Sequence, residues 1–199
     1  TSPVAIGINP ALPVKNLMEL VALSKKRPIT LGLPTAGSVS HLFCEMVAKA
    51  TGCNITYVPY KGGGPALNDT VGGHIDATVS DVGVFIPLHR EKRVRTLVVS
   101  SETRLDELRD VRTANEDVPG LVVVNWLGVF APAGTPATIV ERIDAGLRAL
   151  VTRADVREQF RKAQAVATAM AGPEPFQKHV ASEYLRYGRI LRERNITIS

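Results

Sequence analysis

Two short segments hold the residue types from which an anion site can be built. In the first, Pro34-Thr35-Ala36-Gly37-Ser38-Val39-Ser40, a glycine and two serine hydroxyls come just before a stretch of helical periodicity. The free backbone N–H groups at a helix start, and the positive end of the helix dipole, favour negative charge there. Ser38 equally fits the plainer role of an N-cap, worth about 1 kcal/mol to its helix, and the loop alone leaves the two readings level. The second segment, Tyr60-Lys61-Gly62-Gly63-Gly64-Pro65-Ala66, carries three consecutive glycines, more than a turn requires. Lacking Cβ atoms, they let the backbone approach a ligand closely; a mobile glycine turn is the plainer alternative. Lys61 adds a positive charge, but a solvated or locally paired lysine is preferred to direct ligand contact. Ser80 and Asp81 leave the next strand at the same edge, where Asp81 can accept from a ligand amine or, the preferred reading, cap the following helix. The candidate binding residues are therefore Ala36, Gly37, Ser38, Ser40, Lys61, Gly62, Gly63, Gly64, Pro65, Ala66 and Asp81. The chemistry they offer is capture of a small carboxylate through amides and hydroxyls.

Catalytic patterns do not match. Gly37-Ser38-Val39-Ser40-His41 lacks the G-x-S-x-G spacing of a nucleophile elbow. No Gly-Lys-Ser/Thr follows the glycines of the second loop, which excludes a phosphate-binding P-loop, and the same run is a poor dinucleotide fingerprint. His41, His74, His89 and His179 show no metal-ligand spacing among themselves or with the cysteines. His41 lies just inside a helix, where it packs or caps locally rather than acting as a base. No catalytic residue, metal or cofactor is expected, and the chain reads as a binding protein rather than an enzyme.

The elements that must position these loops follow from periodicity. Strands are predicted at Val4–Asn9, Ile29–Leu33, Ile55–Val58, Ile75–Val79 and Val94–Ser100. Helices are predicted at Pro13–Lys26, about Val39–Thr51 with Gly52 as a left-handed cap, Pro65–Val71 and Val84–His89. Strand and helix alternate throughout, which predicts an α/β fold with a mostly parallel, doubly wound sheet covered on both faces. In such sheets ligands bind beyond the carboxyl ends of the strands, where both loops fall. Ser101–Pro119 reads as polar and irregular, and Val122–Phe130 as an apolar stretch around Trp126. Thr135 is a natural N-cap with Pro136 at the first helical position. The following helix repeats Ile139, Ile143, Leu147 and Leu150, and further helices are predicted from Ala154 to about Ala163 and from about Pro175 to Arg194.

Composition narrows the classes further. At 199 residues, one large domain or two small ones fit. The formal charge of +5 is spread along the chain without aromatic–basic interleaving, so no nucleic-acid partner is expected. No apolar run reaches the length of a membrane span. No signal peptide is recognised, and Thr1 falls within what reads as a strand, from which a cut or processed chain is expected. Cys44 and Cys53 read as two buried thiols, with a bridge between them the minority alternative.

At these loops the sequence resembles the substrate-binding receptors of tripartite tricarboxylate transporters, the Bug family. The matching string runs through Ser38-Val39-Ser40-His41-Leu42, Val58-Pro59-Tyr60-Lys61-Gly62-Gly63-Gly64-Pro65-Ala66-Leu67, Gly73-His74-Ile75-Asp76, Ser100, Arg104, and Trp126-Leu127-Gly128-Val129-Phe130-Ala131-Pro132-Ala133-Gly134-Thr135-Pro136. Asp110-Val111-Arg112-Thr113 departs from the usual proline-bearing P-D-V-P-T block. The resemblance implies a periplasmic binding protein of the type II, Venus-flytrap kind that holds a small organic acid or amino acid and delivers it to membrane permease subunits. It implies a ligand-binding domain over residues 1–125, and a hinge crossing and helical C-terminal segment over 126–199 that belongs to the other domain, with most of the N-terminal domain lacking. An unpartnered tail, with Phe176, Val180, Tyr184 and Tyr187 on one face, would then drive homo-oligomer formation. In the alternative reading the chain is only such a self-associating module.

Overall fold

Alternation in strand β1 (Ser2–Ile8) puts Val4, Ile6 and Ile8 into one apolar layer and Ala5 into the other. Gly7 shares the face of Ala5, because a Cβ there would meet the Phe85 ring at 2.4 Å. In the computed structural model, which describes residues 1–162 and 165–193, β1 lies inside a sheet of order β3-β2-β4-β1-β5, with β6 also paired to β1. The elements between are α1 (Leu17–Ser24), β2 (Ile29–Leu33), α2 (Val39–Thr51), β3 (Ile55–Pro59), α3 (Gly63–Gly72), β4 (Ala77–Asp81), α4 (Val82–Arg90) and β5 (Arg95–Val99). A 3₁₀ turn at Asp106–Leu108, α5 (Ala114–Asp117) and β6 (Val124–Asn125) follow.

β2 is parallel to β3 and to β4. β1 is antiparallel to both β4 and β5, pairing Ala5 with Ser80 and with Val99. β4 and β5 therefore run the same way, as the crossover through α4 requires, and the α/β class with four like-directed strands stands. The exception is β1, which sits between β4 and β5, strands more than sixty residues further along the chain, and runs against both. Its place is held at Ser100, whose buried Oγ accepts from the Val4 amide at 2.8 Å and donates to the Val123 carbonyl.

One apolar layer contains Leu17, Leu20, Phe43, Cys44 and Val47 of α1 and α2 against the sheet; the other contains Val82, Phe85 and Ile86 of α4 with Val94, Leu108 and Val111. Gly32 lets α3 approach β2: a Cβ there would lie 3.0 Å from that of Ala66 and 2.7 Å from Ile75 Cδ1. Cys44 and Cys53 are both free and buried, and burial pushes both thiols up.

Two compact units are formed: Pro3–Asn125 with the described residues from Ile190, and Thr1–Ser2 with Trp126–Arg189. In the second unit, the Thr1 ammonium and carbonyl bond Val166 at 2.7 Å each, and Trp126 meets Phe176 and His179 edge-on at 5.7 and 5.2 Å. Helix α6 (Ala137–Thr152) starts one residue later than expected, with Pro136 in the capping position. Thr135 does not cap it; its hydroxyl donates to the Pro132 carbonyl at 2.8 Å. Neither α6 nor α7 (Ala154–Lys162) buries a residue, and the stripe Ile139, Ile143, Leu147 and Leu150 stays 37–49% exposed. The last helix, α8 (Pro173–Glu193), begins two residues before the expected start; the expected ends at Ala163 and Arg194 lie outside the described residues. On it, Tyr184 is exposed, while Phe176, Val180 and Tyr187 are half-buried. Among the described residues no helix is long and apolar enough to cross a membrane.

Candidate functional site

Because β2, β3 and β4 share one direction, Leu33, Pro59 and Asp81 end on one edge, and the starts of α2, α3 and α4 open there. The first loop turns through Gly37, at φ 72°. Ser38 is the N-cap of α2: its Oγ accepts from the His41 amide at 3.3 Å and donates to the Thr35 carbonyl at 2.8 Å. Capping thus occupies the Ser38 hydroxyl. The Gly37 amide donates to His41 Nδ1 at 3.0 Å. What helix geometry leaves over are the amides of Val39 and Ser40, at the first two helical positions. Both residues are half-buried and Ala36 is exposed.

The second loop is stitched to the first: the Tyr60 amide donates to the Leu33 carbonyl at 3.0 Å, and the Gly62 amide to that of Pro34 at 3.3 Å. Gly62 adopts φ 103° and ψ 172°, a conformation essentially confined to glycine. The helix then begins at Gly63, two residues before the expected start at Pro65, so Gly63 and Gly64 form its first turn rather than a loop. Pro65 has no N–H, but at the third helical position that donor has no intrahelical acceptor anyway. The leftover amides here are those of Gly63 and Gly64. Ala66 is fully buried against Gly32; it docks α3 on β2 and has no surface for a ligand. Lys61 is exposed and, among the described residues, in no ion pair. Tyr60 Oη donates to Asp69 at 2.5 Å, fastening the loop to α3; that bond pushes the phenol up to about 12.

At the third strand end, β4 runs two residues further than expected and includes Ser80 and Asp81. A Cβ on Gly63 would lie 3.5 Å from Ser80 Oγ, so α3 starts beside this hydroxyl. Asp81 occupies the N-cap position of α4 without a side-chain cap bond. Its carboxylate instead accepts from Asn125 Nδ2 at 2.6 Å. Ser80, which the sequence places at this edge but which is not among the candidate binding residues, and the Val39 amide join the site.

The His41 ring bonds the Gly37 amide, not the Ser38 hydroxyl, and its Nε2 is 3.8 Å from Glu45 Oε1. The edge therefore presents fixed amides and hydroxyls, and among the described residues the His41 ring is not hydrogen-bonded to either serine of the loop. Among the described residues no group of three His, Cys, Asp or Glu is placed to hold a metal. A groove of about 230 Å³ lies at the other end of β4, by Asn9, Gly73 and Asp76. The Asn9 amide there donates to the Thr70 and Val71 carbonyls, and Asp76 pairs with Arg27 at 2.7 Å and with Thr30, so its main polar groups are already engaged.

A sequence model of the tripartite tricarboxylate transporter family receptor matches residues 1–196. BugT of Bordetella pertussis is 30% identical over 194 residues, covering 96% of this chain and 59% of its own length. An R. palustris protein solved with adipate superimposes at a TM-score of 0.85 with 29% identity, over 100% of this chain and 67% of its own. MatC from Rhodopseudomonas palustris, with bound malate, gives 0.79 with 28% identity, over 96% and 66%. The chain spans 54–59% of the length of three curated relatives.

Proposed function

The chain belongs to the tripartite tricarboxylate transporter family of receptors, and from that premise we propose that it captures a small organic carboxylate at the edge where α2, α3 and α4 begin. The observation that carries this reading is the pairing of two helix starts, each with two leftover amides, stitched together by the Gly62–Pro34 bond. Two positive dipole ends and up to four N–H donors suit a carboxylate; Ser40 and Ser80 add hydroxyls. Of the sequence candidates, Ser40, Gly63 and Gly64 are the direct contacts. Gly37, Ser38, Gly62 and Pro65 shape the loops, Ala66 docks the helix, and Ala36, Lys61 and Asp81 line the rim.

In this reading residues 1–125 form the ligand-binding domain and 126–199 belong to a second one. The receptor works in the periplasm, hands its ligand to membrane permease subunits, and is not an enzyme. Solved relatives with adipate and malate support a dicarboxylate as the ligand class. Titration calorimetry of the purified protein with adipate, malate and a broad panel of carboxylates and amino acids tests it: saturable heat from a dicarboxylate is expected, and no binding across the panel sinks the reading.

A second reading rests on the exposed stripe of α6. Apolar surface of that kind drives association, and the chain is then a self-associating module. Light scattering at high concentration separates the two: a strictly monomeric mass rules out self-association.

A further inference from the structure

The Gly37 amide points at a side chain rather than at the site. We propose that His41 is the positioning residue of the carboxylate loop: its neutral ring holds the Gly37 peptide in place, so protonating the ring frees the loop and weakens capture. This rests on the carboxylate reading above for its consequence, but not for its geometry.

His41 is the third residue of α2 and reaches back over the helix start. Nδ1 accepts the Gly37 N–H at 3.0 Å, while its own amide donates to Ser38 Oγ at 3.3 Å. The pair reproduces a capping box one residue out of register, with an imidazole in place of the usual Glu or Gln. The tie passes through the one residue of this loop in the left-handed region, Gly37 at φ 72°. Among the described residues no other hydrogen bond holds the 36–37 peptide, which leads directly into the cap residue Ser38 and the start of α2.

An imidazole accepts at Nδ1 only when its proton sits on Nε2. Here Nε2 faces Glu45 Oε1 at 3.8 Å, on the same helix, and from β3 the Tyr57 ring meets it edge-on at 4.9 Å. The residue is 7% exposed, so the ring is packed in place between Tyr57 and its own helix. Once protonated, both nitrogens are donors and Nδ1–H opposes the Gly37 N–H. Burial lowers the proton affinity of the ring and the Glu45 charge partly opposes that, leaving it below the ordinary histidine value. The tie is therefore complete above the ordinary value and lost as pH falls through the lowered one.

The test is nitrogen-15 NMR on the labelled protein with a parallel titration of adipate and malate, for the wild type, His41→Asn and His41→Phe. Asparagine keeps an acceptor oxygen near the Nδ1 position and does not titrate; phenylalanine keeps the ring against Tyr57 but accepts nothing. The wild type is expected to show an unprotonated Nδ1, a Gly37 amide protected from exchange, and loss of that protection with about a fivefold loss of affinity on acidification from about pH 7 to about pH 5. His41→Asn should hold both across the range, and His41→Phe should lack the protection throughout. Equal Gly37 exchange in His41→Phe and the wild type overturns the proposal. So does an affinity that rises in acid, which would make the ring a cationic seat, or a pH profile of His41→Asn that follows the wild type. If no carboxylate binds at any pH while Gly37 protection still follows the ring, the carboxylate reading falls and the positioning of the loop stands.

Discussion

The starts of α2 and α3 face one edge and leave over the same kind of amide, but they are built from different materials. α2 is opened by side chains, with Ser38 as cap and His41 reaching back to Gly37. α3 is opened by backbone, with Gly62 at φ 103° and no side-chain cap. What fastens the second loop is the Tyr60 phenol on Asp69. The ties consequently fail at opposite ends of the pH scale. Neutral His41 is needed on one side, so that tie weakens in acid. Protonated Tyr60 is needed on the other: its bond is intact below the ordinary tyrosine value and is lost as pH rises through about 12. A helix start held by side chains can be adjusted residue by residue, whereas one held by an unusual backbone angle accepts little but glycine.

The largest effect is expected where the backbone does the holding. Gly62→Ala has open space for its methyl, so the penalty is strain alone, about 2 kcal/mol of stability by urea denaturation, with carboxylate binding lost. If it costs less than removal of the Ser38 cap, the contrast between the two loops collapses. Ser38→Ala should cost about 1 kcal/mol, the usual worth of a cap, and leave α3 unaffected in an exchange map. Tyr60→Phe should cost slightly less, about 0.5–1 kcal/mol, the usual net worth of a single hydrogen bond that is only partly buried; its distinguishing sign is an alkaline unfolding limb flatter than that of the wild type. The smallest change is a gain. Gly63→Ala meets Ser80 Oγ at an ordinary 3.5 Å and should add about 0.5 kcal/mol of stability while lowering carboxylate affinity, because the methyl stands beside the leftover amides. Unchanged affinity would move the ligand away from the start of α3.

Much of this was legible in the sequence. The bounds of β2 and α2 follow from apolar period, a serine start and the Gly52 stop, which does adopt the left-handed conformation. Both loops stood out through composition, and both open at strand ends. The start of α3 was not legible, because three glycines in a row carry no propensity signal and Pro65 marks a helix start only when it occupies the first position. Nor was the direction of β1, since periodicity reports which residues face a layer but not which way a strand runs. Thr113-Ala114-Asn115-Glu116 does spell a capping box, and the structure forms it, with Arg104 paired to Glu116 at 2.7 Å. The segment reads as irregular because only the four residues of α5 follow the cap. Whether Ser38 caps or Asp81 caps depends on side-chain rotamers: the first does, the second bonds Asn125.

The place of β1 also sets an order of events. Its partners on either side lie near Ser80 and Val99, and its last anchor, Ser100, must reach both Val4 and Val123. β2, α2 and β3 can assemble from neighbouring sequence, whereas the first strand must wait for everything through β5. Val4, Ile6 and Ile8 thus depend for their cover on partners some 75 to 95 residues further along (roughly, by the Ala5 pairings with Ser80 and Val99), and closing so long a loop is slow.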